Sequence, residues 1–152
     1  MAVKALDIKT VQIVAPQVVS DNAELVGSKG STPISVDVRG FGFMAIKVMF
    51  GAMDIAMATM KLYYSDDNST FTSLAAGNYA TSPATLPAST ADNLIFAWYV
   101  NLVKYPYRYW QVELISGNGA VGTYVAVWAD LSRPSISPST AALRGNSQEL
   151  IV

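Results

Sequence analysis

The segment YRYWQVELISGNGAVGTYVAVWADL, residues 107–131, is the clearest indicator of the fold class, because apolar side chains recur at every second position along both of its ends. In the first run, Trp110, Val112 and Leu114 share one face. In the second run, residues 122–131, both sets of alternating positions are apolar, which indicates that both faces are buried. A period of two is the side-chain spacing of a β-strand. The segment therefore predicts two strands joined by a glycine-rich hairpin loop.

The same alternation recurs along most of the chain, and short connections such as GSKGST and SDDN carry turn residues. One run, MDIAMATMKL at 53–62, also fits a helical face. Strands separated by turns in this way predict an all-β chain, folded as an antiparallel β-sandwich or jelly roll. The predicted strands are 10–19, 33–39, 43–50, 57–65, 70–74, 93–103, 107–115 and 122–131.

The segments outside this pattern predict an N-terminal arm at 1–9, a β-sandwich domain at 10–131 and an extended C-terminal tail at 132–152. Pro134 and Pro138 favour an extended path for the tail, which ends in the apolar tip Leu150, Ile151, Val152. Tails of this kind either fray or dock on a partner, and the apolar tip favours docking. The predicted tail contacts are Ile136, Leu150 and Ile151. The 18-residue connection at 76–93 is long for a loop without structure, so we expect it to be functional or to pack on a neighbour.

Composition restricts the function classes. The chain has neither Cys nor His, which excludes disulfides and thiolate sites and removes the commonest general base and zinc ligand. A formal net charge of −1 gives no general attraction to nucleic acid. Apolar residues make up 51% of the chain and charged residues 14%, against roughly 25% charged in typical soluble domains. The chain therefore has either a well-filled core under a Ser/Thr/Asn surface or, as we favour, a second surface buried in an assembly.

Secretion and membrane insertion are not expected. Residues 1–10 carry Lys4, Asp7 and Lys9 and lack the apolar region of a signal peptide. The most apolar stretch, residues 42–60, contains Lys47 and Asp54, and each of these charges is costly at a bilayer centre. We therefore expect neither a signal peptide nor a membrane span.

The motifs that could support catalysis lie in sequence contexts that do not suit that chemistry. GNGAVG at 117–122 matches G-x-G-x-x-G, but it lies between two strand patterns rather than before a helix, so we expect a turn and no dinucleotide. Glu113 and Asp130 lie on strands that we predict to pair, so they are the nearest approach to a glycosidase acid pair. Two exposed strand acids are the commoner case, and no S-x-x-K placement supports a serine nucleophile. We predict no enzyme, no catalytic residue and no cofactor.

The stretch KLYYSDDNSTFTSL, residues 61–74, admits a calcium loop, a glycosylation sequon at Asn68 or a polar turn between two strands. An EF-hand loop starting at Asp66 would have Phe71 where glycine is needed and no closing Glu, although a weak calcium site with two carboxylates stays open. The sequon requires a secretory route. We predict the turn, because Asp and Asn tolerate left-handed backbone and bond the backbone within turns, and we predict no metal site.

Aromatic residues cluster, with nine of the sixteen between Phe96 and Trp128. On the predicted strand 107–115 and just before it, Tyr105, Tyr107 and Tyr109 would line one face. Such a row either stacks against sugar rings or belongs to a core or a subunit interface, where Tyr is enriched. We predict Tyr105, Tyr107 and Tyr109 as subunit contacts.

Two of these stretches carry a resemblance to a known family. The run YSDDNSTF at 64–71, followed by RYWQVELISGNGAVGTYVAVWADL at 108–131, resembles small β-sandwich or jelly-roll virion proteins of tailed bacteriophages. With its size and tails, the chain looks most like capsid decoration (cement) proteins. The resemblance implies a homotrimer made in the host cytoplasm that binds the major capsid protein on the virion surface and stiffens the shell. The alternative is a phage tail or fibre module, or a carbohydrate-binding β-sandwich.

Overall fold

The computed structural model describes residues 7–20, 22–77, 86–117, 119–135 and 142–145. Within these ranges, the 3₁₀ turns Ala75–Gly77 and Ala142–Arg144 accompany the strands. Among the described residues, none of the helices has the length and apolar character needed to cross a bilayer. The strands are β1 (Lys9–Val19), β2 (Val36–Asp37), β3 (Phe41–Met53), β4 (Thr59–Ser65), β5 (Thr72–Ser73), β6 (Ile95–Asn101), β7 (Tyr109–Ile115) and β8 (Thr123–Pro134).

The strands form two antiparallel sheets of four, which we call the first sheet, in the order β1-β8-β3-β6, and the second sheet, in the order β2-β7-β4-β5. β1 pairs with β8, β2 with β7, β3 with β6 and β4 with β5. The chain therefore behaves as one long hairpin, folded at the β4–β5 turn and then rolled into two layers, which is a jelly-roll arrangement. The prediction of an all-β antiparallel sandwich is confirmed, and the ambiguous run at 53–62 leads into β4.

Alternating side chains of both sheets fill the space between the layers. Along β8, Val125, Val127, Ala129 and Leu131 are buried, while the residues between them lie on the outer face. Trp110 of β7 is the largest fully buried side chain. Each large apolar side chain removed from water contributes roughly 1.5–3 kcal/mol, so the alternation also sets the register of the strands.

The turn between β4 and β5 is built by Asp67, as predicted for a polar turn. Its Oδ1 accepts hydrogen bonds from the backbone N–H groups of Thr70 and Ser69, both at 2.8 Å, and from the Ser65 hydroxyl at 2.7 Å. Asn68 has φ of +57°, which Asn tolerates. These bonds, with that from Thr70 the strongest, lower the pKa of Asp67 to about 2. The carboxylate is therefore committed to closing the turn.

The predicted pairing of β7 with β8 is wrong. β7 pairs with β2 and β4 in the second sheet, while β8 pairs with β1 and β3 in the first. The glycine-rich segment between them crosses from one sheet to the other, with Gly122 at φ of +86°. Both carboxylate oxygens of Asp54 accept bonds there, one from the N–H of Val121 at 2.7 Å and one from that of Gly122 at 3.2 Å. Glycine turns indicate a change of direction, but they do not specify the next strand's partner.

The loop at 20–35 closes the edge of β7 that β2 leaves uncovered. The Lys29 N–H donates to the Val112 carbonyl at 2.8 Å, and the Leu25 N–H donates to the Leu114 carbonyl at 3.2 Å. The buried Ser28 hydroxyl accepts a bond from the Leu114 N–H at 2.7 Å. The second sheet is thus completed by a loop of its own chain.

The arms are described only in part. β8 continues to Pro134, three residues beyond the predicted strand, and β1 begins at Lys9. The 3₁₀ turn Ala142–Arg144 lies beside β1. The predicted tail contacts Ile136, Leu150 and Ile151 lie outside the described residues, so their role stays a prediction, as does the division into arm, domain and tail.

Candidate association surface

An exposed apolar band crosses the outer face of the first sheet. It consists of one residue from each strand: Val18 of β1, Tyr124 of β8, Met49 of β3 and Ile95 of β6. Val18 lies opposite Tyr124, and Met49 lies opposite Ile95, so the members are cross-strand or diagonal neighbours. Their exposed fractions are 50%, 51%, 45% and 57% in that order. Contiguous exposed apolar surface of this kind marks interaction sites in soluble proteins.

The other end of the same face carries an aromatic pair. Tyr99 of β6 is 70% exposed, and its ring stacks on that of Phe43 with centroids 6.2 Å apart and an interplanar angle of 23°. The two residues are diagonal neighbours on β6 and β3. Aromatic rings that are rigidly placed and exposed are common anchors of protein interfaces.

Between the band and the aromatic pair, the charges of the face neutralise each other. Lys47 Nζ lies 2.8 Å from Asp130 Oδ2, and the Thr10 hydroxyl donates to Asp130 Oδ1 at 2.8 Å. Trp128 lies opposite Lys47 on the neighbouring strand. Because the Lys47 ammonium and the Asp130 carboxylate are already paired with each other, a protein surface that packs against this face would not need to supply a charge. The face is suited to an apolar partner.

The three predicted tyrosines do not form a row. The strand begins at Tyr109, so Tyr105 and Tyr107 precede it and the alternation of a strand does not apply to them. Tyr107 stacks on Tyr64, with ring centroids 3.7 Å apart at 19°, and it also packs edge-on against Trp110. Tyr107 is therefore largely engaged within its own chain, and a sugar-stacking row is not present.

The remaining two tyrosines each lie beside a basic residue. Lys104 Nζ is 5.2 Å from the ring centroid of Tyr105, and the Arg108 guanidinium is 4.7 Å from that of Tyr109. Arg108 also donates two hydrogen bonds to the Asp37 carboxylate, at 2.9 and 3.2 Å. These bonds are the main reason why the pKa of Asp37 is lowered. A subunit contact through Tyr105, Tyr107 or Tyr109 stays a prediction.

The two candidate acids are separated by the sandwich. Glu113 lies on the outer face of the second sheet, 3.7 Å from Lys61 Nζ, and it accepts a bond from the Tyr63 hydroxyl at 3.1 Å. Burial and this bond raise the pKa of Tyr63. Asp130 lies on the outer face of the first sheet, so the expected approach of the two acids is wrong. Across the part of the chain that the structure describes, no three acidic side chains converge as metal ligands.

Sequence reasoning missed the exposed band, although it identified the strands that carry it. An alternating pattern with two apolar faces does not say which face is open. One signal was present: Lys47 and Asp130 are isolated charges within apolar strands, and a charge is placed on the outer face. Positions two residues from those charges, such as Met49 and Trp128, then follow as outward-facing.

Comparison with known proteins gives no relative: no family model, no curated protein and no solved structure matches the chain.

Proposed function

We propose that the protein is a structural virion subunit, a capsid decoration protein that associates with copies of itself and with the major capsid protein of a tailed-phage head. The virion, the trimer and the capsid partner come from the resemblance of residues 64–71 and 108–131 to decoration proteins. The observation that supports self-association is the exposed apolar band, which lies beside the Lys47–Asp130 ion pair.

The mechanism is mechanical rather than chemical. Subunits bury the outer face of the first sheet against one another, which removes Met49, Ile95 and Tyr124 from water. At roughly 25 cal/mol per Å² of apolar surface, burial of this band is the main driving force. The arms then bridge neighbouring capsid subunits. Many weak contacts repeated around a shell raise its stability through effective concentration, without any one strong site.

The test compares a charge placed in the band with the same charge placed on the second sheet. Met49→Asp puts a carboxylate into the band, whereas Thr72→Asp puts one on β5, at a position that is also exposed. We expect the wild type and Thr72→Asp to be oligomers by sedimentation velocity. In Met49→Asp the dissociation constant should rise at least about 30-fold, the effect of losing an interface anchor.

Two results would contradict the proposal. A wild type that is monomeric at every concentration would remove self-association, and equal dissociation by both variants would remove the band as its surface. Binding to the capsid is tested separately by cryo-EM of assembled heads mixed with the protein. Density on the tail rather than the head would replace the decoration role with that of a tail module.

A further inference from the structure

A polar pocket lies on the other side of the molecule, over the second sheet. Its volume is about 280 Å³. This is slightly below the range of about 300–1,000 Å³ that is typical of small-molecule sites, so it suits a single ring rather than a chain of rings. The pocket is lined by Lys29 and Pro33 from the 20–35 loop, by Asn68, Ser69 and Phe71 from the β4–β5 turn, and by Gln111 of β7.

Gln111 gives the pocket a side-chain amide from a nearly buried residue. The residue is 5% exposed, and its Nε2 donates to the Ser35 hydroxyl at 2.8 Å. Its Oε1 takes no part in the bond to Ser35, which leaves this oxygen available as an acceptor. The side chain is thus prepared for a donor that enters the pocket.

The other lining groups indicate a neutral, hydroxyl-rich ligand. Asn68 and Ser69 supply an amide and a hydroxyl, which both donate and accept, and Phe71 supplies an aromatic wall. Lys29 stays near the pocket with its Nζ 4.7 Å from the Tyr63 ring centroid. The same turn carries the carboxylates of Asp66 and Asp67, which disfavour an anion.

We propose that this pocket binds one neutral pyranose ring of a saccharide. A sugar hydroxyl donates to Gln111 Oε1, further hydroxyls bond Asn68 and Ser69, and the C–H face of the ring packs against Phe71. A pyranose combines an apolar face with a polar rim in the same way as this pocket. The site is separate from the apolar band, so its occupation is independent of self-association.

The test is a titration of ¹⁵N-labelled full chain with glucose, galactose, mannose and N-acetylglucosamine, followed by NMR. At least one of the sugars should shift the Gln111 side-chain amide and the backbone amides of Asn68 and Ser69. We expect saturation with a dissociation constant on the order of 1–10 mM, as suits one shallow site.

The chain offers a matched pair of variants. Asn68 and Asn93 have φ of +57° and +59°, so glycine suits both positions and both variants should fold. Asn68→Gly should weaken sugar binding about tenfold, the effect of one lost hydrogen bond, and Asn93→Gly should leave it unchanged. Gln111→Met, which keeps the side-chain length, should abolish the shifts.

The proposal is overturned if none of the four sugars gives a saturable shift, if shifts occur only at residues outside the pocket, or if Asn68→Gly and Gln111→Met bind as tightly as the wild type. Should Gln111→Met fail to fold, the comparison of Asn68→Gly with Asn93→Gly decides alone.

Discussion

The two outer faces of this sandwich differ although both sheets have four strands and share one core. The face of the first sheet carries exposed Met49, Ile95, Tyr99 and Tyr124, with its charges paired inside the face. The face of the second sheet is polar, and its β7 edge is closed by the 20–35 loop. The first sheet therefore leaves apolar surface exposed, whereas the second sheet is closed along β7 by a loop of the same chain.

Strand length explains part of this difference. β1, β3 and β8 of the first sheet have 11, 13 and 12 residues, whereas β2 and β5 at the edges of the second sheet have 2 each. The inner strands of the first sheet, β8 and β3, are paired along both edges and need no cover. The short edge strand β2 covers only part of β7, so the remaining donors and acceptors of that edge of β7 must be bonded by other groups. The 20–35 loop supplies such bonds. Two residues of the same loop, Lys29 and Pro33, also line the polar pocket.

The largest expected effect on stability comes from detaching this loop. Leu25 is fully buried in the core while its neighbour Val26 is 58% exposed. Leu25→Ala should lower the free energy of unfolding by about 2–5 kcal/mol through lost burial and a cavity, and Val26→Ala should change it by less than about 0.5 kcal/mol. Urea denaturation measures both. Equal effects would mean that the loop does not cover the second sheet in solution.

Two buried hydroxyl groups extend the comparison, because removing them should change the stability of the fold in opposite directions. Ser28 of the loop bonds the Leu114 N–H, whereas Thr123 Oγ1 of β8 is buried and has no hydrogen-bond partner among the described residues. Ser28→Ala should destabilise the fold by about 1–3 kcal/mol because the Leu114 N–H loses its partner. Thr123→Val should stabilise the fold by about 1 kcal/mol because an unbonded hydroxyl leaves the core. Thermal unfolding of both variants checks the two signs, and a destabilised Thr123→Val would disprove the second.

Features with a local cause were predictable from the sequence. Every predicted strand overlaps an observed one, because alternation is a property of neighbouring residues. The turn at Asp67 and Asn68 was predictable for the same reason, since its bonds join residues two or three apart. The fold class follows from these two kinds of signal alone.

Features that depend on distant contacts were not predictable in the same way. β7 and β8 are consecutive and both alternate, yet they lie in different sheets because the rolled hairpin pairs the first strand with the last. The candidate surface was missed because Val127 and Trp128 give similar apolar signals on opposite faces. The Gln111 pocket joins a loop, a turn and a strand from three parts of the chain, so no single motif encodes it.

The β4–β5 turn of the second sheet makes a prediction about pH. The bonds to Asp67 lower its folded pKa to about 2, while the ordinary value is 3.8. The unfolded chain therefore binds the proton first as pH falls, so this contribution to stability is complete above about pH 4 and is lost toward about pH 2. Asp67→Asn should be less stable than the wild type at neutral pH, and the difference should shrink as pH falls through this window.

The check is urea denaturation of both proteins at several pH values. Asp66→Asn is the matched control, since no resolved bond within the turn depends on the Asp66 carboxylate. A difference between the wild type and Asp67→Asn that stays constant from neutral pH to about pH 2 would contradict the role of the carboxylate.

The smallest effects come from two ion pairs that are matched in exposure and lie on opposite outer faces. Lys47–Asp130 and Lys61–Glu113 have similar exposures, but their N–O distances are 2.8 and 3.7 Å. In dissociated protein, double-mutant cycles with Lys47→Met and Asp130→Asn should give a coupling of about 0.5 kcal/mol. The cycle with Lys61→Met and Glu113→Gln should give less, because the longer pair is weaker. In the associated protein only the first coupling should grow, since only that pair would leave water. A coupling of Lys47 with Asp130 that is the same at low and high protein concentration would place this face outside the interface.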